Sequence, residues 1–260
     1  MCQECGCSLP KEGHQRPGHH HSHHHNHDTH AHHETLHANP QLNDPKTITL
    51  ITKILDANDR EAAHIRDHFD QDGILAVNLM SSPGSGKTTL LEKLAELGLF
   101  RFAVVEGDLE TSRDAERLQA KGVAAHQITT GSACHLDAFM VHEALHHLDL
   151  TGVEILFVEN VGNLVCPASY DVGCHLNVVL VSVPEGEDKI EKYPVMFKVA
   201  DLVLITKTDL LPYIDFDPKR AVAELRKLNP RADVLHVSAH DQATIRAVAD
   251  YLLMKKQLRG

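Results

Sequence analysis

The segment SSPGSGKT, Ser81 to Thr88, constrains this chain more than any other stretch. It follows an apolar run, Ile74–Met80, and leads straight into a helical pattern over Lys87–Leu97. Strand, glycine-rich turn, Gly-Lys-Thr and helix together make a P-loop. Gly84 and Gly86 let backbone N–H groups turn inward around phosphate oxygens, and the helix N-terminus adds the positive end of its dipole. On this reading Ser85 and Thr89 belong to the same phosphate cradle. Lys87 reaches the β- and γ-phosphates, and the Thr88 hydroxyl ligates Mg²⁺. Ser81 replaces the usual first glycine, a small departure in a loop that otherwise fits.

The rest of the chain alternates in the way such a loop requires. Apolar, β-branched runs recur at Phe102–Val105, Val153–Glu159, Val178–Val183, Leu202–Thr206 and Val234–Val237, with a weaker one at Ala124–Ile128. Helical patterns lie between most of them, at Arg113–Lys121, Cys134–Leu148, Arg220–Leu228 and Thr244–Leu253. Buried runs alternating with helices predict an α/β fold of the P-loop NTPase kind, with a mainly parallel sheet flanked by helices. Ahead of the first strand, Ile51, Ile54, Leu55, Ala62, Ile65 and Phe69 recur at helical spacing and predict one amphipathic helix ending before Gly73.

The N-terminal residues follow a different rule. Residues 9–45 hold twelve histidines, from His14 to His37, and almost no large apolar side chain. Such a stretch buries too little surface to offset its ordering entropy, so a disordered Cys/His-rich tail is expected. The expected organisation is a CxxCGC metal motif at 1–8, a histidine-rich metal-binding tract at 9–45, a helix at 46–72 and a nucleotide domain at 73–260.

Net charge is −11, and residues 46–260 alone carry 23 basic against 31 acidic groups. An acidic body argues against nucleic-acid or anionic-membrane binding. No apolar run approaches the ~18 residues of a membrane span, and no secretory signal is visible, so a cytoplasmic location is expected.

Other positions fit a nucleotide switch. Asp108, in EGDLETSRD, lies just past a strand, where a carboxylate can hold Mg²⁺. Glu159 ends VEILFVE, with Gly162 three residues on, where a γ-phosphate sensor is expected. TKTD, Thr206 to Asp209, follows the strand LVLIT. The Asp209 carboxylate suits the N1–H and 2-amino donors of guanine, and the Lys207 stem suits the base face. Thr206 departs from the asparagine of the NKxD pattern. Ser238 and Ala239 resemble the element that closes over guanine.

Cysteine and histidine placement points to metal. Cys2, Cys5 and Cys7 crowd into CxxCGC, too tight for an ordinary disulfide framework and suited to square-planar Ni²⁺ or tetrahedral Zn²⁺. Many neutral imidazoles in a tail make a reservoir of weak sites. Cys134 and His135 are expected to open a helix, with Cys166 seven residues after Glu159 as a partner ligand. Cys174 and His175 are undecided, and His142, His146 and His147 read as surface histidines.

CxxCGC, the histidine tract, SSPGSGKT, EGDLETSRDAERL, Cys134-His135, VENVGNLVCPA, PEGEDK and TKTDLLPY together resemble the HypB family of nickel-incorporation GTPases, of the SIMIBI class. The resemblance covers essentially the whole chain, and the GTPase part is also similar to the urease accessory GTPase. It implies slow GTP hydrolysis with Mg²⁺, and nickel storage and delivery to the hydrogenase large subunit. It also implies a GTP-dependent homodimer and hydrogenase accessory partners. Cys2, Cys5 and Cys7 match the family's high-affinity nickel site; Cys134, His135 and Cys166 match its Ni²⁺ or Zn²⁺ site near the dimer interface. Two rival readings are a metal buffer with an uncoupled nucleotide domain, and an ATPase or small-molecule kinase with a metal-binding tail.

Overall fold

The computed structural model describes residues 44–108, 113–131 and 133–259. The expectations for Cys2, Cys5, Cys7 and the histidine tract lie outside them, as does the Asp108 side chain. Two units are distinguished, residues 1–54 and 55–260. The described part of the first is the start of helix α1 (Pro45–Asp72). Asp44 caps it by accepting from the Thr47 N–H at 3.1 Å, and Pro45 takes the first helical position, where no N–H is needed.

In the second unit, seven strands form one sheet. They are β1 (Leu75–Ser81), β2 (Phe102–Asp108), β3 (Ala124–Thr129), β4 (Ile155–Glu159), β5 (Leu176–Ser182), β6 (Leu202–Thr206) and β7 (Asp233–Val237). The order is β3-β2-β4-β1-β5-β6-β7, and every pairing is parallel. The connecting helices are α2 (Lys87–Leu97), α3 (Arg113–Gln119), α4 (Ala138–Leu145), α5 (Lys189–Lys192), α6 (Pro194–Lys198), α7 (Pro218–Leu228) and α8 (Gln242–Gln257).

Side chains alternate across each strand, so β1 feeds both faces. Leu75, Val77 and Leu79 pack with Leu90, Leu91 and Leu94 of α2 and with Ile245, Val248 and Leu252 of α8. Ala76 faces Ala62, Ile65 and Phe69 of α1 and Val141 and Ala144 of α4. Met80 joins Val179 and Val181 of β5, Phe197 of α6 and Leu225 of α7. Helices thus cover both faces of the sheet, which explains why its strands read as unbroken apolar runs.

One expected element needs correction. Cys134 and His135 do not open a helix. The Asp137 side chain accepts from the Met140 N–H at 2.8 Å, so α4 begins at Ala138 and the two ligand candidates sit in the preceding loop. Asp is among the best N-cap residues, and a cap two positions past His135 overrides the apolar spacing that suggested an earlier start.

Candidate functional site

The carboxyl ends of parallel strands are where open α/β sheets bind ligands. The P-loop leaves the end of β1, Glu159 ends β4, Thr206 ends β6, and Ser238 follows β7. Gly84 (φ +75°) and Gly86 (φ +100°) occupy left-handed backbone, which only glycine adopts at low cost. This geometry turns the loop into the start of α2 at Lys87.

Next to the loop lies a cavity of about 440 Å³. It is lined by Gly84, Gly86, Lys87, Thr88, Thr89 and Glu159, and also by Glu106, Asp114, Arg117 and Lys207. Lys87 is buried, with Nζ 3.1 Å from Ser81 Oγ. Burial lowers its pKa, opposed by the nearby Glu159, Asp114 and Glu106 carboxylates. The Thr88 hydroxyl lies 2.8 Å from Glu159 Oε1 and 3.1 Å from Asp114 Oδ2. Burial pushes the Glu159 carboxyl up to about 7, against the pull of Lys87 and the Thr88 hydrogen bond. Its Oε2 is buried without a hydrogen-bond partner among the described residues. A hydroxyl and two carboxylates form the hard oxygen set that Mg²⁺ prefers, so these residues fit that ion.

A second cavity of about 350 Å³ adjoins the first through Gly86, Thr89 and Lys207. Ser85, Thr206, Asp209, Val237 and Ala239 also line it. Ser238 Oγ donates to Asp209 Oδ1 at 2.7 Å, which fixes that carboxylate. Lys207 has φ +58°, the one non-glycine residue with positive φ among the described residues. Its Nζ donates to the Gly84 carbonyl at 2.7 Å. Thr206 now has a role of its own: its hydroxyl donates to the Ser85 carbonyl at 2.7 Å, tying this loop to the P-loop.

Sequence reasoning missed four residues here. Glu106 is a buried carboxylate opposite Glu159 in the β2–β4 register; its signal was an acid inside the apolar run FAVVEGD. Asp114 and Arg117 come from α3 and left no signal. Glu185 braces the P-loop: its Oε2 accepts from Ser85 Oγ at 2.7 Å and from the Ser182 N–H at 2.8 Å, and its other oxygen accepts from Ser82 Oγ.

The expected metal ligands converge. One ligand atom each from Cys134, His135 and Cys166 lies within 4.8 Å of the others. The Cys134 and Cys166 sulfurs are 3.0 Å apart, and His135 Nδ1 is 3.7 Å from Cys134 Sγ. Tyr170 stacks on the His135 ring at 3.9 Å. Burial lowers the His135 pKa, favouring the neutral imidazole that binds metal. Two thiols and an imidazole suit Ni²⁺ or Zn²⁺ and not Mg²⁺ or Ca²⁺. Cys174 and His175 do not belong to this group. Burial pushes the Cys174 thiol up, away from the reactive thiolate, and His175 Nδ1 accepts from the Ala76 N–H at 2.9 Å.

The fold and this pair of cavities define a P-loop nucleotide-binding protein with a thiol–imidazole cluster on neighbouring loops. Residues 75–236 match the nucleotide-binding domain of CobW, HypB and UreG. The chain belongs to that CobW/HypB/UreG family, and it is similar to several maturation proteins. The hydrogenase/urease maturation factor HypB of Helicobacter hepaticus is 50% identical over 227 residues, spanning 86% of this chain and 93% of that protein. HypB of Escherichia coli is 47% identical over 202 residues, 77% of this chain and 70% of that one. The crystal structure of Helicobacter pylori HypB in complex with nickel superposes with a TM-score of 0.75 at 47% identity, covering 77% of this chain and 95% of that one. HypB from Archaeoglobus fulgidus gives 0.72 at 36% identity, over 78% and 100%.

Proposed function

We propose that this chain is a GTP-hydrolysing nickel metallochaperone that stores nickel and delivers it to the large subunit of nickel–iron hydrogenase during maturation. The observation that carries this reading is the segment 159–166, which touches both sites. Glu159 contacts Thr88 of the P-loop. Gly162 packs so closely on Pro83 that a Cβ there would sit 3.0 Å from it. Asn160 Oδ1 accepts from the Leu136 N–H at 3.2 Å, next to His135. Asn163 reaches the Cys134 carbonyl at 3.4 Å, and Cys166 closes the segment. A nucleotide that moves residues 159–162 therefore acts on the cluster.

The chemistry follows from the residues. The P-loop amides and Lys87 hold the phosphates, and Asp209 accepts from guanine while the Lys207 stem covers the base. Thr88, Glu159 and Asp114 would hold Mg²⁺, with Asp108 at the adjoining strand end; when bound, the ion neutralises phosphate charge. Arg117 lines the phosphate cavity, but Glu92 and Asp114 hold its guanidinium at 2.6 and 2.7 Å. With that arginine engaged, slow intrinsic hydrolysis of GTP to GDP and phosphate is expected. Nickel is the cargo, held by Cys134, His135 and Cys166, with Zn²⁺ as competitor. Cys2, Cys5, Cys7 and the histidine tract serve capture and storage. GTP favours a homodimer, the other partners are hydrogenase accessory proteins, and the setting is cytoplasmic.

The test is nickel affinity in the apo, GDP and GTP-analogue states with Mg²⁺. The cluster's share is the difference between the wild-type chain and Cys134→Ser/Cys166→Ser. A shift of about tenfold or more, ~1.4 kcal/mol of coupling, is expected. Equal affinity in all three states would sink delivery by a GTP switch and leave a storage protein with an uncoupled nucleotide domain.

A further inference from the structure

A second group of imidazoles stands outside both sites. His64 and His68 lie one turn apart on one face of α1, with their Nε2 atoms 3.1 Å apart and their rings edge to face at 4.5 Å. The His142 ring of α4 comes to 5.6 Å from His64, and His146 stacks on His142 at 5.1 Å. Glu61 of α1 binds His142 Nδ1. His142, read from the sequence as a surface histidine, is half-buried and paired. Its side chain is 32% exposed, and its partner comes from a helix distant in sequence.

We infer that His64 and His68, completed by His142, form a binding site for a borderline divalent transition ion such as Ni²⁺ or Zn²⁺, separate from the Cys134/His135/Cys166 cluster. Metal–nitrogen bonds of 2.0–2.1 Å place two imidazole nitrogens about 2.9 Å apart at a right angle and about 3.4 Å apart at a tetrahedral angle. The 3.1 Å His64–His68 spacing falls between these limits. Glu61 on Nδ1 sets the tautomer of His142 and leaves Nε2 as its lone-pair nitrogen. This is the carboxylate–histidine arrangement that orients metal-binding imidazoles.

The scaffold under the site is closely packed. Asn58, one turn before Glu61 and about two before His64, is buried; it accepts from the Ala138 N–H at 2.9 Å and donates to the Asp171 carbonyl at 2.9 Å. Ala62, Ile65 and Phe69 pack with Val141 and Ala144 directly beneath. His64 and His68 are themselves exposed; their ligand nitrogens do not yet converge with that of His142 as those of the Cys134 cluster do, so closing the set on an ion requires the exposed rings to turn. An all-nitrogen, solvent-facing site exchanges its ion more readily than a dithiolate, and it stands whether or not the chain carries nickel to hydrogenase.

The test is carbethoxylation of the full-length protein by diethyl pyrocarbonate, read residue by residue by mass spectrometry. Zn²⁺ alone is added in excess over the tail's ligands. At free Zn²⁺ about tenfold above the site's Kd, occupancy of about 90% slows modification about tenfold. His64, His68 and His142 are expected to be protected together, with the exposed His236 of β7 unchanged. In His64→Gln, a substitution on an exposed helical position, His68 is expected to lose its protection. Equal modification of His64 and His68 with and without Zn²⁺ would overturn the inference, as would protection of His68 that survives in His64→Gln.

Discussion

Truncating Asn160 to alanine separates the two halves of the proposed switch. Asn160 is 1% exposed, and its amide makes three hydrogen bonds. Oδ1 accepts from the N–H groups of Leu136 and Val161 at 3.2 and 3.0 Å. Nδ2 donates to Asn78 Oδ1 at 3.2 Å, and Asn78 in turn donates to Asn177 at 3.0 Å. Asn160→Ala leaves two buried N–H groups and one buried carbonyl without this partner. Each orphaned group costs about 1–3 kcal/mol before relaxation, so a net loss of about 2–4 kcal/mol is expected. For a domain of roughly 200 residues, each kcal/mol lowers Tm by about 2–4 °C, which predicts a fall of about 5–15 °C. Calorimetry reads this directly. The same variant also loses the contact between the strand-end segment and the residue beside His135. Its nickel affinity should therefore respond less than about twofold to a GTP analogue, against about tenfold in the wild-type chain. A Tm within about 2 °C of wild type would refute the hydrogen-bond argument. A lowered Tm with coupling intact would place the route between the sites elsewhere.

Gly162→Ala should weaken GTP-analogue binding about 5- to 150-fold by calorimetric titration, because its Cβ would meet Pro83 at 3.0 Å and overpacking costs about 1–3 kcal/mol; an unchanged Kd would mean that the P-loop yields freely. Asp209→Asn should lower GTP affinity about 10- to 150-fold, the loss of hydrogen bonds to a charged group, while leaving ATP binding as it was; equal effects on both nucleotides would remove Asp209 from base selection. Burial lowers the His175 pKa to about 4, so the ring stays neutral in the folded chain while the unfolded chain protonates near pH 6.5. The stability it contributes is complete above about pH 6.5 and is lost as pH falls towards 4, at about 1.4 kcal/mol per pH unit and about 3 kcal/mol in all. His175→Gln should flatten that part of the denaturation profile relative to wild type, a comparison in which the opposite contribution of Glu159 cancels; parallel profiles would show that His175 does not titrate there.

The sheet was legible because parallel strands covered on both faces have no polar side to interrupt them. The β6 bounds Leu202–Thr206 and the α2 bounds Lys87–Leu97 coincide with the sequence runs. Ends were legible where punctuation was local, as at Gly98, which closes α2 with φ +60°. They were not where two local signals competed. Apolar spacing through Cys134–Leu148 suggested an earlier start, but the capping bond from Asp137 decides where α4 begins. The P-loop and TKTD were legible because each acts through residues adjacent in the chain. Glu185, Glu106 and Asp114 were not, because each meets its partners only after folding; Glu185 reaches Ser85 across 100 residues.

Thr206 shows what a departure from a motif can mean once the partner is known. Read as a missing asparagine, it weakens the guanine assignment. In the fold its hydroxyl holds the Ser85 carbonyl and Lys207 holds the Gly84 carbonyl, so the base loop is bonded directly to the phosphate loop. Glu185 grips the other side of the same turn through Ser82 and Ser85. On the proposed reading, a nucleotide-dependent displacement would pass to the segment that begins at Glu159, which meets the loop at Thr88 and Pro83. That segment ends at Cys166, a member of the metal cluster.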